Sequence, residues 1–304
     1  MTSTRGKGAV LTTGANGFVG SHIVSLLLSR GYKVHATVRR QEAADQLANT
    51  FPSDRLRVFV IPELTEANAL DEACYDCSFL IHVASTVPTK NSTPGNDRSI
   101  SIDATVGSVE AIMLAAAKFD CQKVVVTSSM STHLDAKATF LDETTWYAPD
   151  VSSTKPFIQY MSAKVLAEQR AWELSSSLGV PLTTIAPVYI GGPTILAGQD
   201  PKAPISNQDL LCCIQDEAKS KIPGWIDVRT VARLHLLALE ADQMVGRRVL
   251  ACTHNTGVVK MDCLLMNKLL ANETADVIEF DQTKRDLLDQ IRRFSSGRVS
   301  RSVV

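Results

Sequence analysis

Apolar positions along this chain fall into short blocks separated by longer helical stripes. Runs at 7–12, 33–38, 56–61, 78–83, 122–128 and 181–187 are rich in Val, Ile, Leu and Thr, with little polar alternation. That is the pattern of strands buried on both faces. Between them, apolar residues recur at helical spacing over 18–30, 41–50, 66–75, 99–118 and 157–178. Strand and helix alternate as in βαβ units, so the pattern predicts an α/β fold with a doubly wound, mostly parallel sheet. After 190 the regular alternation stops and Gly and Pro become frequent, at 191–193, 198, 201 and 204. Beyond that, an amphipathic helix is predicted from Ile226 to Glu240, a strand at 249–252 and helices at 260–271 and 281–293.

Composition changes this picture little. The 304 residues are 45% apolar and 21% charged, with a formal net charge of −1, as expected of an ordinary soluble protein. Neither nucleic acid nor an anionic membrane is an expected partner. No apolar run approaches the length of a membrane span, and the first strand follows the N-terminus too closely for a signal peptide. These features lead us to expect a cytoplasmic protein. The seven cysteines read as reduced core thiols rather than a disulfide framework. Cys74 and Cys77 have CxxC spacing, but no second such pair accompanies them, so no metal is expected.

Chemistry enters at the first strand–turn–helix, where the apolar run Ala9–Leu11 ends in Gly14-Ala-Asn16-Gly17-Phe-Val-Gly20. Such a turn suits a dinucleotide. Gly14 permits the tight turn, Gly17 lets backbone approach a pyrophosphate, and Gly20 lets the helix pack on the strand. The phosphates would meet free N–H groups at the helix N-terminus. The second strand then ends in Val38-Arg39-Arg40, where NAD-specific folds place a carboxylate for the ribose 2′-hydroxyl. A guanidinium fork suits a 2′-phosphate instead, so NADPH/NADP is the expected cofactor, with Arg39 the better candidate. Glu63 and Leu64, after the third strand, are placed to meet the adenine. Val83, Ala84 and Ser85 end the fourth strand at the sheet's carboxyl edge, where the cofactor should lie.

The fifth strand runs into Thr127-Ser128-Ser129, and Tyr160 and Lys164 follow at i,i+4 on one helix face. In this order, after a glycine fingerprint, the three positions point to carbonyl reduction. Tyr160 would be the general acid. An ordinary phenol titrates near pH ~10, so Lys164 beside it is expected to lower that value. Lys164 would also hold the nicotinamide ribose.

The chain resembles an extended short-chain dehydrogenase/reductase. It is most similar to the group of dihydroflavonol reductases, cinnamoyl-CoA reductases and yeast ketone/aldehyde reductases. The matching stretches are TTGANGFVGSHI (12–23), ATVRR (36–40), FLIHVAS (79–85), KVVVTSS (123–129), YMSAK (160–164), PVYIGGP (187–193) and IDVRTVARLHLLAL (226–239). The resemblance implies a Rossmann-type dinucleotide-binding domain over 1–190, onto which a later helix (about 226–241) packs back. Residues 191–304 would form mainly a small substrate-binding lobe and a tail. It selects Ser129 over Ser128 as donor to the substrate carbonyl oxygen, and adds Phe18, Val19, Thr127, Pro187, Val188 and Ile190 to the cofactor site. Tyr189 and Trp225 would line the substrate pocket. Ala43 stands where relatives often carry a second lysine for the 2′-phosphate, and Glu63 replaces their aspartate.

Two other functions share these features. Nucleotide-sugar epimerases and dehydratases use the same fold but retain NAD, which Arg39 argues against. Non-catalytic NADP-binding regulators typically lack the tyrosine and lysine that this chain keeps. The expected partner is a small carbonyl compound, and the expected assembly a monomer or homodimer.

Overall fold

The computed structural model describes residues 8–85, 101–134, 140–215, 222–271 and 277–296. Elements are numbered in chain order. The first half runs β1 (Ala9–Thr13), α1 (Phe18–Ser29), β2 (Lys33–Val38), α2 (Gln41–Thr50), β3 (Leu56–Val60), α3 (Asp71–Cys74), β4 (Cys77–His82), α4 (Ile102–Lys118) and β5 (Lys123–Thr127). It continues with β6 (Phe140–Leu141), α5 (Pro156–Leu178), β7 (Leu182–Pro187), β8 (Tyr189–Gly191) and α6 (Ile205–Gln215). The last part comprises β9 (Gly224–Asp227), α7 (Val228–Glu240), β10 (Arg247–Ala251), β11 (His254–Asn255), β12 (Lys260–Met261), α8 (Leu264–Ala271) and α9 (Phe280–Ser295).

Seven strands form one parallel sheet in the order β10-β7-β5-β4-β1-β2-β3. Successive side chains of a strand point to opposite faces, and the two apolar cores divide accordingly. Val10, Val34, Ile81, Val125 and Ile185 join the core under α1, α2 and α7. Leu11, Leu80, Val124, Val126 and Leu182 join the other, under α4 and α5. Burial on both faces explains the unbroken apolar runs in the sequence.

Several predicted elements change. Only Asp71–Cys74 of the helix expected at 66–75 is helical, because Asn68 adopts a left-handed φ of 61° that interrupts the helix. The helix expected at 260–271 starts at Leu264, whose N–H is capped by the Asp262 carboxylate at 2.8 Å, while β12 pairs with β6. The strand expected in the lobe, at 249–252, is instead β10, the edge strand of the main sheet beside β7. Helix α7 lies against α1 in the same core.

The small lobe is therefore built from two separate insertions. One contributes β8, α6 and β9, the other β11 and α9. Its core is Leu210, Trp225 and Leu287, packed with Tyr189 and Phe280. Buried Asp227 caps α7 through Arg229 N, accepts from the Arg229 guanidinium and from Thr283 of α9, and so anchors the last helix. Arg229 also reaches Asp286 at 2.8 Å.

Among the described glycines, backbone approaches most closely at the first turn. A Cβ on Gly20 would sit 2.2 Å from the Gly14 carbonyl oxygen, which is backbone and cannot swing aside. We expect Gly20→Ala to push α1 off β1 and cost about 1–3 kcal/mol, read as a lower urea midpoint at unchanged slope. A wild-type midpoint would show that the turn has slack.

Candidate active site

The glycine turn fits a dinucleotide phosphate by its own geometry. Gly14 takes φ 64°, and a Cβ there would lie 2.8 Å from Ala84 N, so β1 and β4 end in direct backbone contact. Gly17 is exposed, N-caps α1 without a side-chain hydrogen bond, and no acidic residue occupies the first turn. The helix dipole and first-turn N–H groups therefore face outward with no carboxylate competing for them. Asn16 and Phe18 are half-buried at the same turn, whereas Val19 points into the core.

Further along the strand ends, Arg39 and Arg40 are exposed after β2. Glu63 is exposed nearby. Its carboxyl accepts from the Thr65 hydroxyl (2.8 Å) and N–H (3.2 Å), which with the field of Arg39 hold its pKa low. Leu64 is half-buried and packs on the second core. Val83 and Ala84 are half-buried and Ser85 exposed. The Thr13 hydroxyl accepts from the N–H groups of Val83 (3.2 Å) and Ala84 (3.3 Å), which fixes that strand end. Pro187 and Val188 are buried, and Val188 donates its N–H to the Ala251 carbonyl. Ile190 is half-buried.

The structure brings Ser129, Tyr160 and Lys164 together where α5 passes the end of β5. Ser129 and Tyr160 are half-buried neighbours, and the Ser129 side chain acts on the phenol. Lys164 is buried one turn on, and its Nζ donates to the Thr127 carbonyl at 3.1 Å. The electrostatics differ from expectation. Burial pushes the Tyr160 phenol above its ordinary pKa, and the group that pulls it back is Ser129, not Lys164. Lys164 itself is pushed down to about 8 by burial, opposed by the charge of Glu168. Without a ligand, then, the phenol stays protonated at neutral pH, the state a proton donor requires.

A model of the NAD dependent epimerase/dehydratase family matches residues 10–252. The chain belongs to that family, the extended short-chain dehydrogenases/reductases. It is 63% identical over 303 residues to the fatty acid hydroxylase uhd1 of Mycosarcoma maydis, covering all of both chains. It is 32% identical over 266 residues to cinnamoyl-CoA reductase 1 of Arabidopsis thaliana, covering 83% of this chain and 72% of the other. Among solved structures, yeast methylglyoxal/isovaleraldehyde reductase Gre2 complexed with NADPH superposes with a TM-score of 0.83 at 26% identity, over 96% of this chain and 100% of that one.

For a short-chain dehydrogenase/reductase, the pocket side is equally informative. Tyr189 is half-buried and meets Trp225 edge-on, with ring centroids 5.7 Å apart. Trp225 is only 2% exposed and stacks on Phe280, so it is core of the lobe and supports Tyr189 from behind. Phe157 is 49% exposed and stacks near Tyr160 at 6.4 Å, an apolar side chain at the mouth of the site that the sequence reading missed.

Also missed were the residues beneath the site. His235 of α7 is fully buried; its Nδ1 lies 2.8 Å from the Val231 carbonyl and its Nε2 2.7 Å from the Thr127 hydroxyl. Only a donating Nδ1–H satisfies the carbonyl, so Thr127 donates to Nε2 and its own carbonyl is left facing Lys164. His82 accepts from Thr13 at 2.8 Å. Glu168 and Arg248 form a buried pair at 2.9 Å. Glu168 continues the Tyr160/Lys164 face at i+8 and i+4 and was readable from spacing, whereas Arg248 was not.

Burial pushes His22, His133 and His235 down to about 4 and His82 to about 3. The folded protein therefore binds fewer protons than the unfolded chain below the ordinary value near 6.5. Stability from these groups is complete above that pH and is lost as pH falls toward their folded values. Each costs on the order of 2 kcal/mol by pH 5. We expect the melting temperature to fall by at least about 10 °C between pH 7 and pH 5. A flat profile in thermal melts would mean that these imidazoles are charged in the fold.

Proposed function

We propose that this chain is an NADPH-dependent reductase that converts a ketone or aldehyde to an alcohol, acting on an oxo group of an acyl chain. The observation that carries the reading is the meeting of Ser129 and Tyr160 with buried Lys164, whose Nζ is bonded to the Thr127 carbonyl, at the carboxyl edge of a sheet whose first turn fits a pyrophosphate. When bound, the cofactor would supply a hydride. Gly14, Asn16, Gly17 and the start of α1 would hold its phosphates, and Arg39 its 2′-phosphate. Lys164, now bonded to Thr127, would meet the nicotinamide ribose. Ser129 would donate to the carbonyl oxygen and stabilise charge developing there, and Tyr160 would deliver its phenolic proton to the same oxygen. Tyr189 and Phe157 would flank the substrate, with Trp225 holding Tyr189 in place.

The acyl substrate reconciles two findings. The relative that is 63% identical is named a fatty acid hydroxylase, while others similar over most of the chain are named reductases. Reducing an oxo group leaves a hydroxyl on the chain, so a reductase of this kind yields a hydroxy-acyl product. The exposed ring of Phe157 beside Tyr160 suits an acyl chain better than a sugar nucleotide.

NADPH oxidation would be followed at its absorbance with methylglyoxal and with a 3-oxoacyl thioester; no turnover of either would sink this reading. Tyr160→Phe is expected to keep NADPH affinity within a few-fold while losing at least about 100-fold in turnover. Arg39→Ala should weaken NADPH about 10- to 150-fold, from one charge-assisted hydrogen bond of about 1.5–3 kcal/mol, with NADH barely affected. Equal losses for the two cofactors would give Arg39 a structural role.

A further inference from the structure

One heavily bonded buried charge is a group to which the reductase reading assigns no role. Glu168 is 2% exposed on α5, one turn past Lys164. One oxygen accepts from the Ser128 hydroxyl at 2.6 Å; the other accepts from Thr184 of β7 at 2.7 Å and from Arg248 Nε of β10 at 2.9 Å. Arg248 in turn donates to the Glu143 and Thr145 carbonyls, both at 2.9 Å, and lies 3.5 Å above the Trp146 ring. Burying a carboxylate is costly unless every lone pair finds a donor, and here the donors come from three strands. Of these donors, Ser128 lies between Thr127, whose carbonyl holds Lys164, and Ser129, the neighbour of Tyr160.

We propose that Glu168 is a positioning residue of this site: its carboxylate holds Ser128, and with it the Thr127 carbonyl and Ser129 hydroxyl, against the α5 face that carries Lys164 and Tyr160, and it supplies the negative charge facing Lys164. The proposal rests on the reductase reading for the roles of Ser129, Tyr160 and Lys164. Glu168 and Lys164 line one small internal cavity together with His82 of β4, Thr105 of α4, Thr127 and Ser128. The other charged or titratable groups facing the pair are Arg248 of β10 and His133, in the turn after β5. Burial pushes the Glu168 carboxyl up, but Arg248 and the Ser128 hydroxyl outweigh this and hold it at about 2, so it is ionised wherever the enzyme works. His82 and His133 are held low by burial and stay neutral there. Burial lowers the Lys164 amine and Glu168 opposes that lowering; removing the carboxylate charge therefore moves Lys164 further down.

The test is Glu168→Gln in the full chain, with two readouts. The first is the titration midpoint of the Lys164 amine, measured without cofactor by competitive acetic anhydride labelling across pH and peptide mass spectrometry. The second is kcat and KM for NADPH-dependent reduction of methylglyoxal. Expected are a midpoint lower by about one pH unit, kcat lower by about 10- to 100-fold and KM little changed. Ser128→Ala keeps the charge but loses the tether, so kcat should fall while the midpoint stays. If Glu168→Gln alone does not fold, because Arg248 is left buried and unpaired, Glu168→Gln with Arg248→Met removes both charges and is measured instead. A folded variant with an unmoved Lys164 midpoint, or with wild-type kcat, overturns the proposal. A wild-type chain that reduces no carbonyl compound overturns the reductase reading instead, and the labelling alone then decides the role of Glu168.

Discussion

Lys164 and Glu168 stand one turn apart on the buried face of α5, and each is bonded to the end of β5: the ammonium to the Thr127 carbonyl, the carboxylate to the Ser128 hydroxyl. Two consecutive residues of one strand end are thereby registered against one helix, and Ser129, the next, stands beside Tyr160. Neither charge could sit there alone, because desolvation would neutralise it or expel it. Arg248 makes the arrangement possible. It approaches from the far edge strand, balances Glu168, and is covered by Trp146 and two carbonyls. Sheet, helix and the loop before the helix thus share one electrostatic arrangement, and the candidate catalytic groups lie at its surface.

Around this arrangement the sheet's carboxyl edge is kept neutral and close-packed. His82 and His235 are uncharged at neutral pH and spend their nitrogens on hydroxyls and a carbonyl that orient Thr13 and Thr127. Gly14 brings β1 against β4 at Ala84. Arg39 and Arg40 supply positive charge at one end and Lys164 at the other, roughly as the phosphate and ribose of a dinucleotide would require.

The lobe is held together by aromatic packing. Trp225 is core, Tyr189 rests on it, and α9 is held by Asp227, Arg229 and Asp286. Because β10 returns to the main sheet between the two insertions, the lobe is tied to the dinucleotide-binding half at both ends and shares the anchor of α7. A boundary drawn at residue 190 describes the chain's order but not its packing.

Much of the fold was legible because it depends on local periodicity. Strands buried on both faces and amphipathic helices leave unmistakable patterns, and glycines at 14, 17 and 20 declare a turn that only glycine can make. Tyr160 and Lys164 were legible for the same reason, since i,i+4 spacing on a helix fixes a shared face. The break at Asn68, the start of α8 at Asp262 and the membership of β10 in the sheet were not, for these depend on a single dihedral, a single cap and a distant partner strand. The sequence alone determined which residues share a helix face and which strands are buried on both sides. Only the tertiary structure decided that Trp225 is core, that Ser129 rather than Lys164 lowers the Tyr160 phenol, and that Arg248 pairs with Glu168 across 80 positions of sequence. Burial and long-range pairing set those outcomes, and neither is a property of any local stretch of chain.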